Sequence, residues 1–348
     1  MTRLRFSWDK GLIALLVVTF AVGSVVSPRF LTMRNLGFVT QDIGEIMIVA
    51  LAMTLIIITG EIDLSVGSIA ALSGCVMGVA WHHGLPMWVA AASAIVSGGL
   101  AGCVNGFLVT KVGLPSLAVT IGTLGLFRGL CWALLGDQTI ADFPNSWLAF
   151  GYDNIPGTQL PWVTPILIVL ALVFGVVLHL TRTGRWIFAM GQSAQAARFA
   201  GVAVLRIKFR LFVLSGVMCG LAGIVYSMRF ASARPDAAVG LELAVIAAVL
   251  FGGVSIFGGV GTIWGVVASV LFLGAIRSLL LLKQVPPNEL TIITGLLLLA
   301  SVVIPVIAER LKGLRRHPRH SNPDARPPDK DATDGQLSGN RGQRARSG

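Results

Sequence analysis

Residues 181–210 read TRTGRWIFAMGQSAQAARFAGVAVLRIKFR and hold six Lys or Arg (Arg182, Arg185, Arg198, Arg206, Lys208, Arg210) without one Asp or Glu. Long apolar runs flank the stretch on both sides. In a membrane protein, an acid-free basic loop is the segment retained in the cytoplasm. That makes the flanking runs membrane spans and the chain a polytopic, all-α membrane protein. The middle of the loop, Gly191 to Val202, is Ala-rich, and Gln192–Gly201 reads as a short helix of about two and a half turns. A short helix presented between two spans suggests a docking element for a cytoplasmic partner.

Composition agrees. Of 348 residues, 55% are hydrophobic and only 12% charged, against about 25% charged in soluble domains. Apolar runs able to cross ~30 Å of hydrocarbon recur along the chain. The short alternating segments of a transmembrane barrel are absent. The net charge of +11 is not a nucleic-acid signature, because it is concentrated in two places. One is the 181–210 loop; the other is the tail from Glu309 to Gly348, with ten Lys/Arg against five Asp/Glu. Both suit cytoplasmic segments beside anionic lipid. Cys75, Cys103, Cys131 and Cys219 all lie inside apolar runs with no CxxC spacing. They read as small apolar residues, not as disulfides or metal ligands. The apolar run Gly11–Val26 follows a basic start, but the SPRF after it lacks a small-x-small cleavage site. It reads as a retained first span.

Ten apolar segments are expected, at about 9–26, 37–60, 64–81, 87–109, 115–135, 162–180, 209–228, 241–258, 262–282 and 288–307. The third and eighth are short and Gly/Ser-rich, so each reads as a full span, a half-span or a re-entrant piece. Both termini and the 181–210 loop are expected inside. The longest other loop, Gly136–Pro161, has three Asp and no Lys or Arg, and is expected outside. Residues 37–135 and 209–307 then form two four-span units of opposite orientation, the layout of an inverted repeat. Residues 1–308 would be the membrane domain. Residues 309–348, rich in Pro, Gly, Asp and Arg, would be a disordered cytoplasmic tail.

Three constellations carry chemistry. Gly60-Glu61-Ile62-Asp63-Leu64-Ser65-Val66-Gly67-Ser68 joins the second and third segments. Gly60 ends one helix, and Asp63 or Ser65 caps the next by accepting from free backbone N–H groups. Equally, Asp63 is a carboxylate between two apolar runs and a candidate for the translocation pathway. Asp42 and Glu45, beside Gln41, sit i,i+3 on one helix face near the outer end of the second segment. Arg128, expected at similar depth, is their candidate counter-ion. These charges either line the pathway or orient helices at the interface, and Arg277, Glu242 and Asp236 are weaker candidates at the outer ends of the second unit. The glycines Gly252, Gly253, Gly258 and Gly259 have no following Lys, so they do not form a phosphate loop. They read, with Gly60 and Gly67, as hinge and packing positions. His82-His83 reads as an interfacial pair.

Several of these stretches resemble permease subunits of ribose-type sugar ABC importers, of the ribose, rhamnose and autoinducer-2 branch. Gly60–Ser68 with Ser73-Gly74 resembles the family's GGIDLSVGS…LSG signature. Thr120–Leu124 with Arg128-Gly129 resembles TLGT…RG. Ala196–Val202 resembles the cytoplasmic AAR…GI loop. Leu214-Ser215-Gly216 with Gly220–Gly223 resembles SG…GLAG. Ala247–Gly253 with Gly258-Gly259 and Gly261–Gly265 resembles AAVVLGG…GGRGTxxG. Glu61 stands where Gly is usual, and Val260 replaces a frequently basic residue.

The resemblance implies a multi-pass protein of the bacterial inner membrane, a permease pairing with a second copy or a homologous permease. An external sugar-binding protein would deliver a monosaccharide, and ATP-binding subunits would seat on the 181–210 loop through Gln192, Ala196, Ala197, Arg198, Gly201 and Val202. The chain itself would need no cofactor and hydrolyse no ATP. Rhamnose-type substrates are favoured by Ser232-Ala233-Arg234 and Ser255–Gly259. An autoinducer-2 permease and a stand-alone ion-coupled transporter are the alternatives, the latter pressing Asp42, Glu45 and Asp63 into ion coupling.

Overall fold

A helix that is apolar all round lies in a protein core or spans a membrane. The sequence GEIMIVALAMTLIII forms such a helix, Gly44–Ile58, in which every residue but Ile46 is buried. The rest of the fold is arranged around it. In the computed structural model the described residues are 2–286, with isolated helical positions between 289 and 303. Among them there is no strand, only the two isolated bridges Ile140–Ala233 and Asn154–Pro161.

The helices are α1 (Thr2–Val26), α2 (Met33–Asp42), α3 (Gly44–Ile58), α4 (Val66–His82), α5 (Met87–Phe107), α6 (Ser116–Leu135), α7 (Asn145–Tyr152), α8 (Val163–Leu180), α9 (Arg182–Gln192), α10 (Ala194–Phe199), α11 (Val204–Arg229), α12 (Leu241–Phe251) and α13 (Ile263–Leu282). The first nine expected apolar segments each coincide with a helix or a helix pair. The tenth lies outside the described residues apart from scattered positions, and the 309–348 tail lies outside them altogether. Among the described residues five helices are long and apolar enough to cross a membrane, and a sixth span results if α2 and α3 are counted together. Those two are bent by 52° at Ile43, where φ −94° and ψ 0° depart from the helix.

α3 packs against α8, α11, α12 and α13. Among the described helices α5 and α11 pack most extensively, and they cross on small residues. A Cβ at Gly216 would lie 2.9 Å from both Cα and N of Gly102, and one at Gly98 would lie 2.9 Å from Gly220 N. A Cβ at Gly220 would lie 2.7 Å from Ala94 O. Ala94, Gly98 and Gly102 recur every four residues along one face of α5, so the backbones meet directly.

Two expectations are refined. The eighth segment, left open as a full span, a half-span or a re-entrant piece, is helical over only part of its length. α12 stops at Phe251, and its 11 residues rise only about 16 Å, half of a bilayer core. Gly253, Gly258 and Gly259 follow with φ of +84°, +83° and +69°, a backbone that L side chains resist. On the other side of α12, residues 231–240 are irregular and run beside α4: Cys75 Sγ donates to Arg234 O at 3.5 Å. The second concerns the basic loop, whose Gln192–Gly201 stretch is not one helix. Ser193 leaves the helical region (φ −160°, ψ 106°), ends α9 and caps α10 by accepting from Ala196 N. A serine favours this because its hydroxyl satisfies an orphan N–H of the next helix.

Candidate functional site

Chemistry-bearing side chains gather at the two ends of the bundle. At the end away from the basic loop, the α2–α3 bend places Asp42 and Glu45 side by side and buried. Arg229, the last residue of α11, serves both: its Nη2 lies 2.7 Å from Asp42 Oδ1 and its Nη1 3.1 Å from Glu45 Oε2. Nη1 also donates to the Asp42 carbonyl at 3.3 Å, so the guanidinium spans the bend itself. Arg277 of α13 approaches Asp42 Oδ2 at 3.3 Å. Glu45 Oε1 is buried without a hydrogen-bond partner. Gln41 Nε2 donates to Gly151 O at 2.5 Å, tying α2 to α7.

Arg128 is not the counter-ion of these carboxylates. Its Nη1 donates to Pro235 O at 2.6 Å and to Ala237 O at 2.7 Å. The irregular segment before α12 has carbonyls that no helix satisfies, and Arg128 supplies donors for them. Arg229 was missed because it follows the seventh apolar run and reads there as a flanking charge. Asp236 pairs on the surface with Arg234, at 2.5 Å. Glu242 does not join the Asp42–Glu45 end: a Cβ on Gly67, the second residue of α4, would strike its carboxylate and lie 2.8 Å from Ala238 O.

At the basic-loop end, the turn after α3 is built as its residue types dictate. Gly60 has φ +81° and closes the helix. Asp63 is completely buried; its Oδ1 accepts from Ser65 N at 2.9 Å and from Ser65 Oγ at 2.6 Å. Asn105 of α5 donates to Ser65 Oγ at 2.8 Å, and Ser116 Oγ accepts from Ile62 N at 3.2 Å. Asp63 therefore organises the entry to α4 and pins it to α5. Its second oxygen, Oδ2, is buried near the Ser215 hydroxyl. Glu61 forms an ion pair with Lys208 at the start of α11.

The basic loop itself is α9, a kink at Ser193, and α10. Gln192, Ala196, Arg198 and Gly201 face solvent, while Val202 is half-buried. Ala197 is buried, at 4% exposure, so only one alanine of the pair is open to a partner. Gly201 (φ +81°) ends α10, and Val202 N donates to Ala197 O at 3.0 Å. Phe199, not singled out in the sequence, is 85% exposed at the end of α10. Gly252 has no room for a side chain, since a Cβ would lie 2.7 Å from Val266 Cα.

Comparison with known proteins fits this architecture. Residues 35–302 match the family model described as branched-chain amino acid transport system / permease component. The chain is 34% identical over 307 residues to the L-arabinose transport system permease protein AraH of Escherichia coli strain K12, covering 88% of this chain and 93% of the relative. It is also 34% identical to the autoinducer 2 import system permease protein LsrD of Klebsiella pneumoniae, covering 86% and 92%. No solved structure matches it. An all-helical bundle with membrane-length spans, the ordered glycine and Asp63 motifs, and near full-length likeness to these relatives converge: the chain belongs to the permease family, as a ribose-type permease subunit of sugar ABC importers.

Proposed function

We propose that the protein is the membrane-spanning subunit of an ATP-driven importer that carries a monosaccharide inward by alternating access. The observation that carries this is the likeness, over 86–88% of the chain, to permeases named for arabinose and for autoinducer 2. Eight of the ten proposed spans form two inverted four-span units, at 37–135 and 209–307, with both termini and the 181–210 loop in the cytoplasm. The basic loop and the Asp-containing 136–161 loop support that orientation through the positive-inside rule. An external binding protein delivers the sugar, and a second copy or a homologous permease completes the pore. Asp42, Glu45, Asp63 and Arg128 are the proposed pathway residues, joined by Arg229. The glycines at 60, 67, 252, 253, 258 and 259 are its hinge and packing points.

ATP-binding subunits seat on α10 and its flanks through Gln192, Ala196, Arg198 and Gly201, with Ala197 and Val202 holding the helix from beneath. Phe199 adds an aromatic anchor of the kind that dominates protein interfaces. Changing Arg198 and Phe199 together to Ala is expected to weaken retention of the ATP-binding subunits by about tenfold or more, with the permease still folded. Co-purification and size-exclusion profiles of the two species measure it. Retention equal to the parent's would remove α10 from the interface.

The substrate is proposed as a small sugar of rhamnose type. The likeness to LsrD favours autoinducer 2 as a second reading. Uptake of labelled L-rhamnose, L-arabinose, D-ribose and autoinducer 2 into proteoliposomes holding the permease, its ATP-binding subunits and its binding protein decides between them. Uptake by the permease alone, driven by an ion gradient, would overturn the importer assignment.

A further inference from the structure

The basic-loop end of α3 is gripped from two directions by the segment that runs from α9 to α11. On the α9 side, Gly191 lies against the Ile58 carbonyl, and a Cβ there would stand 2.9 Å from Gly259 Cα. Gly259 N in turn donates to Ile58 O at 2.8 Å. A Cβ on Gly258 would be 3.0 Å from each of Gly191 O, Gly60 N and Ile58 O. Three backbones therefore meet with no side chain between them: the end of α9, the end of α3 and the turn between α12 and α13. On the α11 side, Lys208 pairs with Glu61, three residues beyond the end of α3, and the two side chains are only 14% and 16% exposed.

The physical consequence lies in stiffness. A contact made through long side chains absorbs a displacement by changing rotamers. A backbone-to-backbone contact has no such slack, and close-packed interiors pass displacement on. α3 then runs through the buried centre to Glu45, which Arg229 holds at the far end. α11 also reaches the opposite charge cluster, from Lys208 near its start to Arg229 at its end, but α3 is the helix gripped through backbone as well as through the Glu61 side chain.

We propose that α3 is the input element of the transport cycle. Gly191 and the Lys208–Glu61 pair hand movement of the cytoplasmic loop to its near end, and α3 delivers it to the Asp42–Arg229–Glu45 cluster. This rests on the docking reading above, and Gly191, Glu61 and Lys208 act as positioning residues that do not touch the transported sugar.

The test uses the complete complex in proteoliposomes, with the variants Glu61→Gln, Glu61→Lys, Lys208→Glu, the double swap Glu61→Lys/Lys208→Glu, and Gly191→Ala. Each is read by retention of the ATP-binding subunits, basal ATP hydrolysis, its stimulation by the loaded binding protein, and sugar uptake. Glu61→Gln and the single swaps are expected to retain the ATP-binding subunits while losing roughly fivefold or more of stimulation and uptake. The double swap restores both, which a merely structural role of either residue alone would not produce. Gly191→Ala, whose Cβ would strike the Ile58 carbonyl, is expected to force the end of α9 away from α3 and lose uptake; the Glu61 and Lys208 variants, which crowd no backbone, carry the test where it fails to assemble. Parental stimulation in Glu61→Gln and Gly191→Ala would overturn the proposal, as would a double swap that assembles without recovering uptake. Failure of the docking reading is visible separately, as a parent complex whose ATP-binding subunits do not depend on α10.

Discussion

Replacing Arg229 by Met is expected to cost most of the folded yield of the protein. The guanidinium is the shared counter-ion of two buried carboxylates, and its loss leaves them facing each other i,i+3 across the α2–α3 bend. Breaking a buried pair by removing one partner destabilises by about 3–5 kcal/mol, since an uncompensated charge stays inside. The damage should be repairable in a defined order. Arg277 still reaches Asp42 at 3.3 Å, whereas among the described residues Glu45 has no other cation within salt-bridge distance. Adding Glu45→Gln to Arg229→Met should therefore recover more folded protein than adding Asp42→Asn. Thermal unfolding and size-exclusion profiles of the detergent-solubilised variants measure this. An Arg229→Met variant as heat-stable as the parent would mean that the cluster is solvated and contributes little.

The second large effect belongs to the α5–α11 crossing. Gly216→Leu is expected to abolish assembly of the helical bundle. Its Cβ would already lie 2.9 Å from the backbone of Gly102, and backbone cannot rotate aside as a side chain does. Overpacking in a core costs about 1–3 kcal/mol where neighbours can yield, and here they cannot. Gly122 in α6 provides the contrast, because nothing lies within 4 Å of a Cβ there. Gly122→Leu should leave the fold of the single chain intact. Yield of monodisperse protein compares the two, and equal yields would show that the helices separate without loss.

Much of the candidate site was legible in residue order. Gly60 as a helix terminator and Asp63 and Ser65 at the start of α4 follow from local rules about turns and caps; Asp42 and Glu45 do come together, but across the bend at Ile43 and not on the single helix face expected of them. The identity of the counter-ion did not follow. Arg128 and Arg229 lie in the sixth and eleventh helices, and nothing in their neighbourhoods reveals that one meets backbone carbonyls while the other meets carboxylates. The break at Ser193 was visible in principle as a serine ahead of an Ala-rich run. The continuous helical composition on both sides hid it.

The amino-acid sequence by itself determined the class of the protein, the places of its apolar segments, the basic loop between them and the permease family. Those properties depend on hydropathy, charge and motif order, all local along the chain. Tertiary structure decided which charges pair, that the eighth segment is a short helix between two irregular stretches, that Ala197 is buried, and that Gly191 meets Ile58. These depend on contacts between residues far apart in the chain, whose free energies arise only when the helices pack. The loop at 181–210 shows the division within one segment: its charge marked it as a loop, and its backbone contacts tie it to α3.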